Sequence, residues 1–284
     1  MCTAVLSIAP GLPVLLAGVR DELMDRAWDP PARHWPQYPG LLGGRDRQAG
    51  GTWLAVSPQD RRVACVLNGI GQQAPAASRR SRGVLPLQAA AGEPLDRDAL
   101  ADLDPFRLVT AEPGRAAIQA WDGRHFTERE LPAGLHFVVN SGLASDLSRV
   151  RVTDTAAAAT GAGAATGAGA GAATGAAAAA GQAPNGREHE LARIAHFLSR
   201  FADAARPEPH PGQPVHEAWG DWLPLANGDG IGPYDSRALV VRRELGEGRT
   251  WGTTSISLVA LTPGEVRYDF TGNPGAHATW QTIL

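Results

Sequence analysis

Apolar positions in the first third of the chain come in short runs separated by turn residues. Residues 3–9 (TAVLSIA) and 13–19 (PVLLAGV) are each one strand long, and Pro10-Gly11-Leu12 between them predicts a hairpin. The same layout recurs twice. Residues 50–56 and 62–67 flank Ser57-Pro58-Gln59-Asp60, and residues 106–111 and 116–121 flank Pro113-Gly114. A further strand runs through Leu135-His136-Phe137-Val138-Val139 and closes in Asn140-Ser141. The last part repeats the strand pattern at 237–243, 253–261 and 266–270, with a turn at Pro263-Gly264. Helical periodicity is confined to the middle, at 78–91, 96–103 and 187–205, with a short helix at 215–223. In 187–205 the residues Leu191, Ile194, Leu198 and Phe201 share one face at i, i+3, i+7 and i+10. Hairpins at both ends with helices between them predict an α+β layered fold rather than alternating βαβ units.

Two stretches lack either period. Residues 28–50 are proline-rich and carry Trp28, His34, Trp35 and Tyr38, which predicts a long loop packed on aromatics as a rim over a pocket. Residues 155–182 are nearly all Ala, Gly and Thr. Alanine favours helix, the repeated glycine opposes it, and no apolar face exists to bury. This predicts a disordered insert in an otherwise single domain spanning residues 1–284. The run Ser78-Arg79-Arg80-Ser81-Arg82 reads as a solvated basic face.

Composition narrows the function classes. The net charge of −3 argues against a nucleic-acid partner or an anionic membrane held by bulk electrostatics. All 26 basic residues are arginine, which excludes lysine nucleophiles, Schiff bases and P-loop lysines. No GxGxxG or GxxxxGK[ST] occurs, so nucleotide binding has no support. Two cysteines make no disulfide framework, and Cys65, inside the apolar run 63–67, reads as an inert core thiol. No Cys/His metal cluster, no signal segment and no apolar run near 18 residues appears. The expectation is a cytoplasmic protein without a membrane span, metal or cofactor.

The candidate chemistry begins at Met1-Cys2-Thr3. Removal of the initiator methionine puts a thiol and an α-amine on one residue, and that amine titrates near ~7.7–8.0. It then serves as the base that activates the sulfur nucleophile. The extended apolar stretch from Ala4 to Ile8 holds Cys2 in place. The second strand delivers Arg20-Asp21-Glu22 at its end, across from residues 2–4. An arginine there favours the thiolate, and an aspartate holds the α-amine. Asn68 and Asn140 each close an apolar strand, where a side-chain amide can point into a site. His136 reads as a satisfied sheet residue.

The order of these pieces resembles the NRDE family, also called the transport and Golgi organisation protein 2 family. The resemblance is carried by Met1-Cys2, by Val19-Arg20-Asp21-Glu22 where the family has Asn-Arg-Asp-Glu, and by Gly43-Gly44-Arg45-Asp46. It continues through residues 49–56 (AGGTWLAV), Asn68, Val139-Asn140-Ser141 and Trp251-Gly252-Thr253-Thr254-Ser255. It implies an N-terminal-nucleophile (Ntn) hydrolase fold, a four-layer αββα sandwich of two antiparallel sheets between helices. Cys2, Arg20, Asp21, Asn68 and Asn140 are also similar in order and type to the site of choloylglycine hydrolases and penicillin acylases. That likeness implies attack by cysteine on an amide carbonyl, an oxyanion hole to which both asparagines contribute, and Arg and Asp positioning thiol and amine. Val19 departs from the family's first Asn, and Thr254 stands where the family more often has Arg. The function implied is an N-terminal-cysteine amidohydrolase that cleaves the C–N bond of a small linear or cyclic amide through acyl-Cys2. The alternative is a non-catalytic binding or trafficking protein for haem or lipid, tied to Golgi and secretory organisation in eukaryotic relatives. Haem needs an axial ligand, for which His34, His125 and His136 are the candidates. A third reading is a retained scaffold without ligand.

Overall fold

A computed structural model of the chain describes residues 2–146 and 184–284. The insert expected at 155–182 lies outside the described residues. Two antiparallel sheets stack face to face. The first contains β1 (Thr3–Ile8), β2 (Val14–Leu23), β10 (Gly134–Val139), β11 (Gly142–Leu143), β12 (Arg242–Gly246), β13 (Arg249–Leu261), β14 (Val266–Thr271) and β15 (Gln281–Thr282). Its order is β11-β10-β1-β2-β13-β14-β15, with β12 also paired to β13. The second is a meander, β3 (Trp28–Ala32), β4 (Leu42–Asp46), β5 (Leu54–Ser57), β6 (Arg62–Asn68), β7 (Phe106–Glu112), β8 (Arg115–Trp121) and β9 (Phe126–Leu131), each strand beside the next.

The period-2 alternation of each strand divides its side chains between two cores. Along β1, Ala4, Leu6 and Ile8 point between the sheets and meet Leu54, Val56, Val63 and Cys65 of the second sheet. Val5, on the opposite face, packs with Leu15, Val19, Phe137 and the helix residues Phe197, Phe201, Trp219 and Trp222. Those residues come from α2 (Pro184–Asp203), α3 (Val215–Trp219) and α4 (Trp222–Ala226). The outer face of the second sheet buries Ala55, Ala64, Phe106 and Leu108 against α1 (Leu85–Ala90) and the loop residues Trp35 and Leu41. The architecture is an α+β sandwich of two antiparallel sheets with helices on both outer faces.

Several elements differ from their expected form. Residues 28–50 contain two strands, not one long loop. Pro30 and Pro31 fit because β3 is an edge strand, where a missing N–H breaks no ladder. The helix expected at 78–91 shrinks to α1 and a preceding 3₁₀ turn at Arg82–Val84, and 96–103 yields only a 3₁₀ turn at Asp98–Asp102. The strand at Phe126–Leu131 is additional to those expected; its Thr-Glu-Arg-Glu run is exposed at the edge of the second sheet. The strand expected at 237–243 lies later, at Arg242–Gly246, and β13 begins at Arg249 instead of 253. In α2 the buried face carries Glu190, Arg193, Ile194, Phe197 and Phe201, while Leu191 and Leu198 are only half-buried. Two charged residues therefore sit on the face that packs against the sheet.

Candidate active site

β1 lies between β2 and β10, with Thr3 opposite both Val19 and Val139. One residue back along each ladder, Cys2 falls between Arg20 and Asn140. Alternation then sets directions. Cys2 continues the face of Ala4 and Leu6 and packs against the inter-sheet core. Arg20 continues the face of Leu16 on β2, so its guanidinium enters the same layer. Asp21 takes the opposite face, under α2.

β2 carries Arg20-Asp21-Glu22 within the strand rather than at its end, because β13 pairs along it as far as Leu23. That pairing is broken once. Asp21 faces Thr253 and Arg20 faces Ser255, which leaves Thr254 as the extra residue of a bulge. The bulge turns the Thr254 hydroxyl onto Arg20, where it accepts from Nη1 at 2.7 Å. Arg20 is 5% exposed and stacks on Trp53, its Cζ 4.4 Å from the ring centroid. Its Nη2 lies 3.7 Å from Glu22 Oε2 and 4.0 Å from Asp46 Oδ2. Arg26 closes the network, 2.7 Å from Asp46 and 3.7 Å from Glu22. Burial pushes the Arg20 pKa down, and Glu22 and the Cys2 sulfur act against that.

These residues form one wall of an open cleft of about 360 Å³ with Cys2 in its lining. Cys2 Sγ is 3.6 Å from the main-chain oxygen of Asp21. Arg20 favours the thiolate, as its place across from Cys2 implies, but it does not decide the outcome. Burial pushes the Cys2 thiol up and the Asp21 carboxylate adds to this, while Arg20 works against it. The thiol is the resting form, and a base has to remove its proton.

The Asp21 carboxylate is fully buried. It accepts from Thr253 Oγ1 at 2.6 Å and lies 3.6 Å from Arg193 Nη1. Arg193 in turn donates to Thr3 Oγ1 at 3.0 Å and to the Ala238 oxygen at 2.8 Å. One turn earlier in α2, Glu190 accepts from Ser141 Oγ at 2.6 Å and from Ser141 N at 3.2 Å. Arg193 and Glu190 therefore hold the neighbours of Cys2 and Asn140 from behind. Sequence reasoning missed both because charges on an amphipathic helix read as its solvent face. Phe197 was the available signal, since a helix that buries residues 194, 197 and 201 also turns 190 and 193 inward.

Asn68 ends β6 and lines the cleft. Asn140 is absent from the lining, although its Oδ1 is buried without a hydrogen-bond partner. Arg79, Arg80 and Arg82 also line the cleft; Arg79 and Arg80 are exposed, as a solvated face requires, and Arg82 is half-buried. Gly51 sets them there. A Cβ on Gly51 would lie 2.5 Å from the carbonyl carbon and oxygen of Gly83, and Thr52 N donates to that oxygen at 2.9 Å. Only glycine lets the two backbones touch this closely. The rim expected from 28–50 reaches the cleft through Asp46 and Ala49.

Cys65 is 4% exposed in the inter-sheet core, and burial pushes its thiol up to about 12. The three candidate haem ligands do not converge. His34 Nε2 lies 2.8 Å from the Pro30 oxygen, His125 Nδ1 lies 3.3 Å from Asp122, and His136 Nε2 lies 2.7 Å from the Pro132 oxygen. None of them lines the cleft, so this arrangement does not fit a haem held by an axial histidine. Among the described residues no group of His, Cys, Asp and Glu is placed to hold a metal ion, and no helix is long and apolar enough to cross a membrane.

The sequence profile of the family described as Transport and Golgi organisation 2 matches residues 1–161, more than half of the chain. The match covers Cys2, Arg20, Asp21, Asn68 and Asn140. No curated protein matches the chain.

Proposed function

The chain belongs to the Transport and Golgi organisation 2 family, and we propose that this member is an Ntn amidohydrolase that cleaves the C–N bond of a small amide at Cys2. The observation that carries the reading is the placement of Cys2 in an open cleft, in register between Arg20 and Asn140 and 3.6 Å from the Asp21 main chain.

The cycle follows from the groups at hand. Removal of Met1 frees the α-amine of Cys2, and in this reading Asp21, one strand away on β2, is the carboxylate that holds it. The amine takes the thiol proton, directly or through one water, which a thiol pushed up by burial requires. Sγ adds to the amide carbonyl carbon, and the carbonyl electron pair moves onto oxygen. The amide of Asn68, which lines the cleft, is the uncharged donor for that oxyanion; Asn140 lies beside Cys2 in register but outside the lining, and serves there only if its amide turns into the cleft. The ammonium returns its proton to the departing nitrogen as the C–N bond breaks, which leaves acyl-Cys2 and a free amine. Water then attacks the thioester with the α-amine as base, releasing a carboxylic acid and restoring the thiol. Arg20 anchors the sulfur's surroundings through Trp53, Thr254 and Glu22 and takes no proton. The bulge hydroxyl of Thr254 fills a place where the family more often has an arginine, so substrate charge has to be met elsewhere in the cleft.

The test is a panel of small amides turned over by the native chain and by Cys2→Ala, with intact mass recorded alongside. The reading expects a chain one methionine lighter and a hydrolysable amide whose turnover vanishes in Cys2→Ala. Retention of Met1 in the folded protein, or turnover that survives Cys2→Ala, rejects it.

A further inference from the structure

The cleft has two unlike walls. On the Arg20 side every cation has a carboxylate, since Glu22 and Asp46 serve both Arg20 and Arg26. In the 79–82 run Arg79 is paired with Asp104, its Nε 3.2 Å from Oδ1. Arg80 and Arg82 have no carboxylate within ion-pair distance among the described residues. Arg82 uses Nη1 to donate to the Pro105 oxygen at 2.7 Å, which fixes the plane of its guanidinium. Its Nε and Nη2 have no protein partner and are not sealed in the interior. A fork is thus held rigid at one tip and left open on the cleft. Arg82 and Cys2 line the same cleft; burial pushes the Arg82 pKa down, with Asp104 and then the Cys2 sulfur acting against it. A cation drawn partly out of water without a counter-ion is costly, and an anion arriving there recovers that cost. With Asp21 engaged behind the sheet by Arg193, the cleft holds five arginines, Arg20, Arg26, Arg79, Arg80 and Arg82, against the three carboxylates Glu22, Asp46 and Asp104.

We infer that the compound handled at Cys2 carries a carboxylate or phosphate group, clamped by the open guanidinium fork of Arg82 and drawn in by Arg80. The inference rests on Cys2 being the reacting group. Bidentate oxyanions match the guanidinium fork in shape and charge, and a field focused in a cleft raises the local concentration of anions. A cleft of about 360 Å³ is large enough for a small anionic amide.

Two alkylating reagents of nearly equal size separate charge from reactivity. Iodoacetate is an anion and iodoacetamide is neutral. The rate ratio of the two at Cys2 is measured by peptide mass mapping in the native chain, in Arg82→Gln, in Arg82→Lys and in Arg80→Gln. The expected result is a ratio that falls roughly five-fold or more in Arg82→Gln. It falls less in Arg82→Lys, which keeps the charge and loses the fork. Arg80→Gln, an exposed change that removes no side-chain hydrogen bond, lowers it too and guards against misfolding of the Arg82 variants. A ratio unchanged in all three overturns the inference. If iodoacetamide itself fails to label Cys2, the nucleophile reading falls instead. A reagent-free arm then decides the anion site alone. Inorganic phosphate or succinate, at ionic strength matched with sodium chloride, is expected to raise the melting temperature of the native chain more than that of Arg82→Gln. Equal effects on both overturn the site, and the anion with the larger effect identifies phosphate or carboxylate as the group preferred.

Discussion

Replacing Arg193 with methionine keeps length and apolar stem but removes the charge that the interior is built around. The side chain is 2% exposed, and the Asp21 carboxylate 3.6 Å away is 0% exposed. Stranding one partner of a buried ion pair costs about 3–5 kcal/mol. Loss of the bonds to Thr3 and Ala238 adds about 1 kcal/mol each. At about 2–4 °C per kcal/mol, the melting temperature of Arg193→Met should fall by roughly 10–28 °C. The assay is a urea titration and a melting curve of four proteins: native, Arg193→Met, Asp21→Asn and the double variant. The double variant should be more stable than Arg193→Met, because the amide leaves no stranded charge, and the cycle should show coupling of about 2 kcal/mol or more. A loss below about 1 kcal/mol in Arg193→Met, or no recovery on adding Asp21→Asn, would refute the brace behind the site.

Other consequences are quickly checked. At pH 7 iodoacetamide should alkylate Cys2 about tenfold or more faster than Cys65, because one thiol lines the cleft and the other is buried with its pKa pushed up to about 12; equal rates in peptide maps would contradict this. Cys65 is held above its ordinary value of 9.0, so the unfolded chain loses this proton first. Stability should therefore be intact below about pH 9 and fall as pH rises toward about 12, with a shallower alkaline decline in Cys65→Ala than in the native chain, read from urea midpoints against pH. Gly51→Ala should cost about 1–3 kcal/mol of stability, since the new methyl meets backbone that cannot swing away. The same change should lower the iodoacetate preference at Cys2 by loosening the wall that carries Arg82.

The parts of the fold legible in the sequence were those specified locally. Alternating apolar residues around Pro10-Gly11 fix β1 and β2, and with them the register that brings Cys2 beside Arg20. The single strand ending at Asn140 does the same on the other side. What was not legible depends on partners distant in sequence. Glu190 and Arg193 look solvent-facing until Ser141, Asp21 and Thr3 are brought under α2. Arg79 and Arg80 are the exposed basic residues the sequence suggests, but that half-buried Arg82 lines the cleft is visible only once Gly83 docks on Gly51. Pro30 and Pro31 hide an edge strand whose missing donors face no neighbour. The influence of Arg20 on the Cys2 thiol was legible, because charge can be counted along a sequence, whereas burial, the largest influence, cannot.

The most direct measurement is the intact mass of the purified chain after brief exposure to a small activated ester or amide, followed by peptide mapping. The account predicts a chain lacking Met1 that gains one acyl group, located on Cys2, lost on treatment with hydroxylamine and absent from Cys2→Ala. A chain that keeps Met1, or an acyl group found at any other residue, contradicts it.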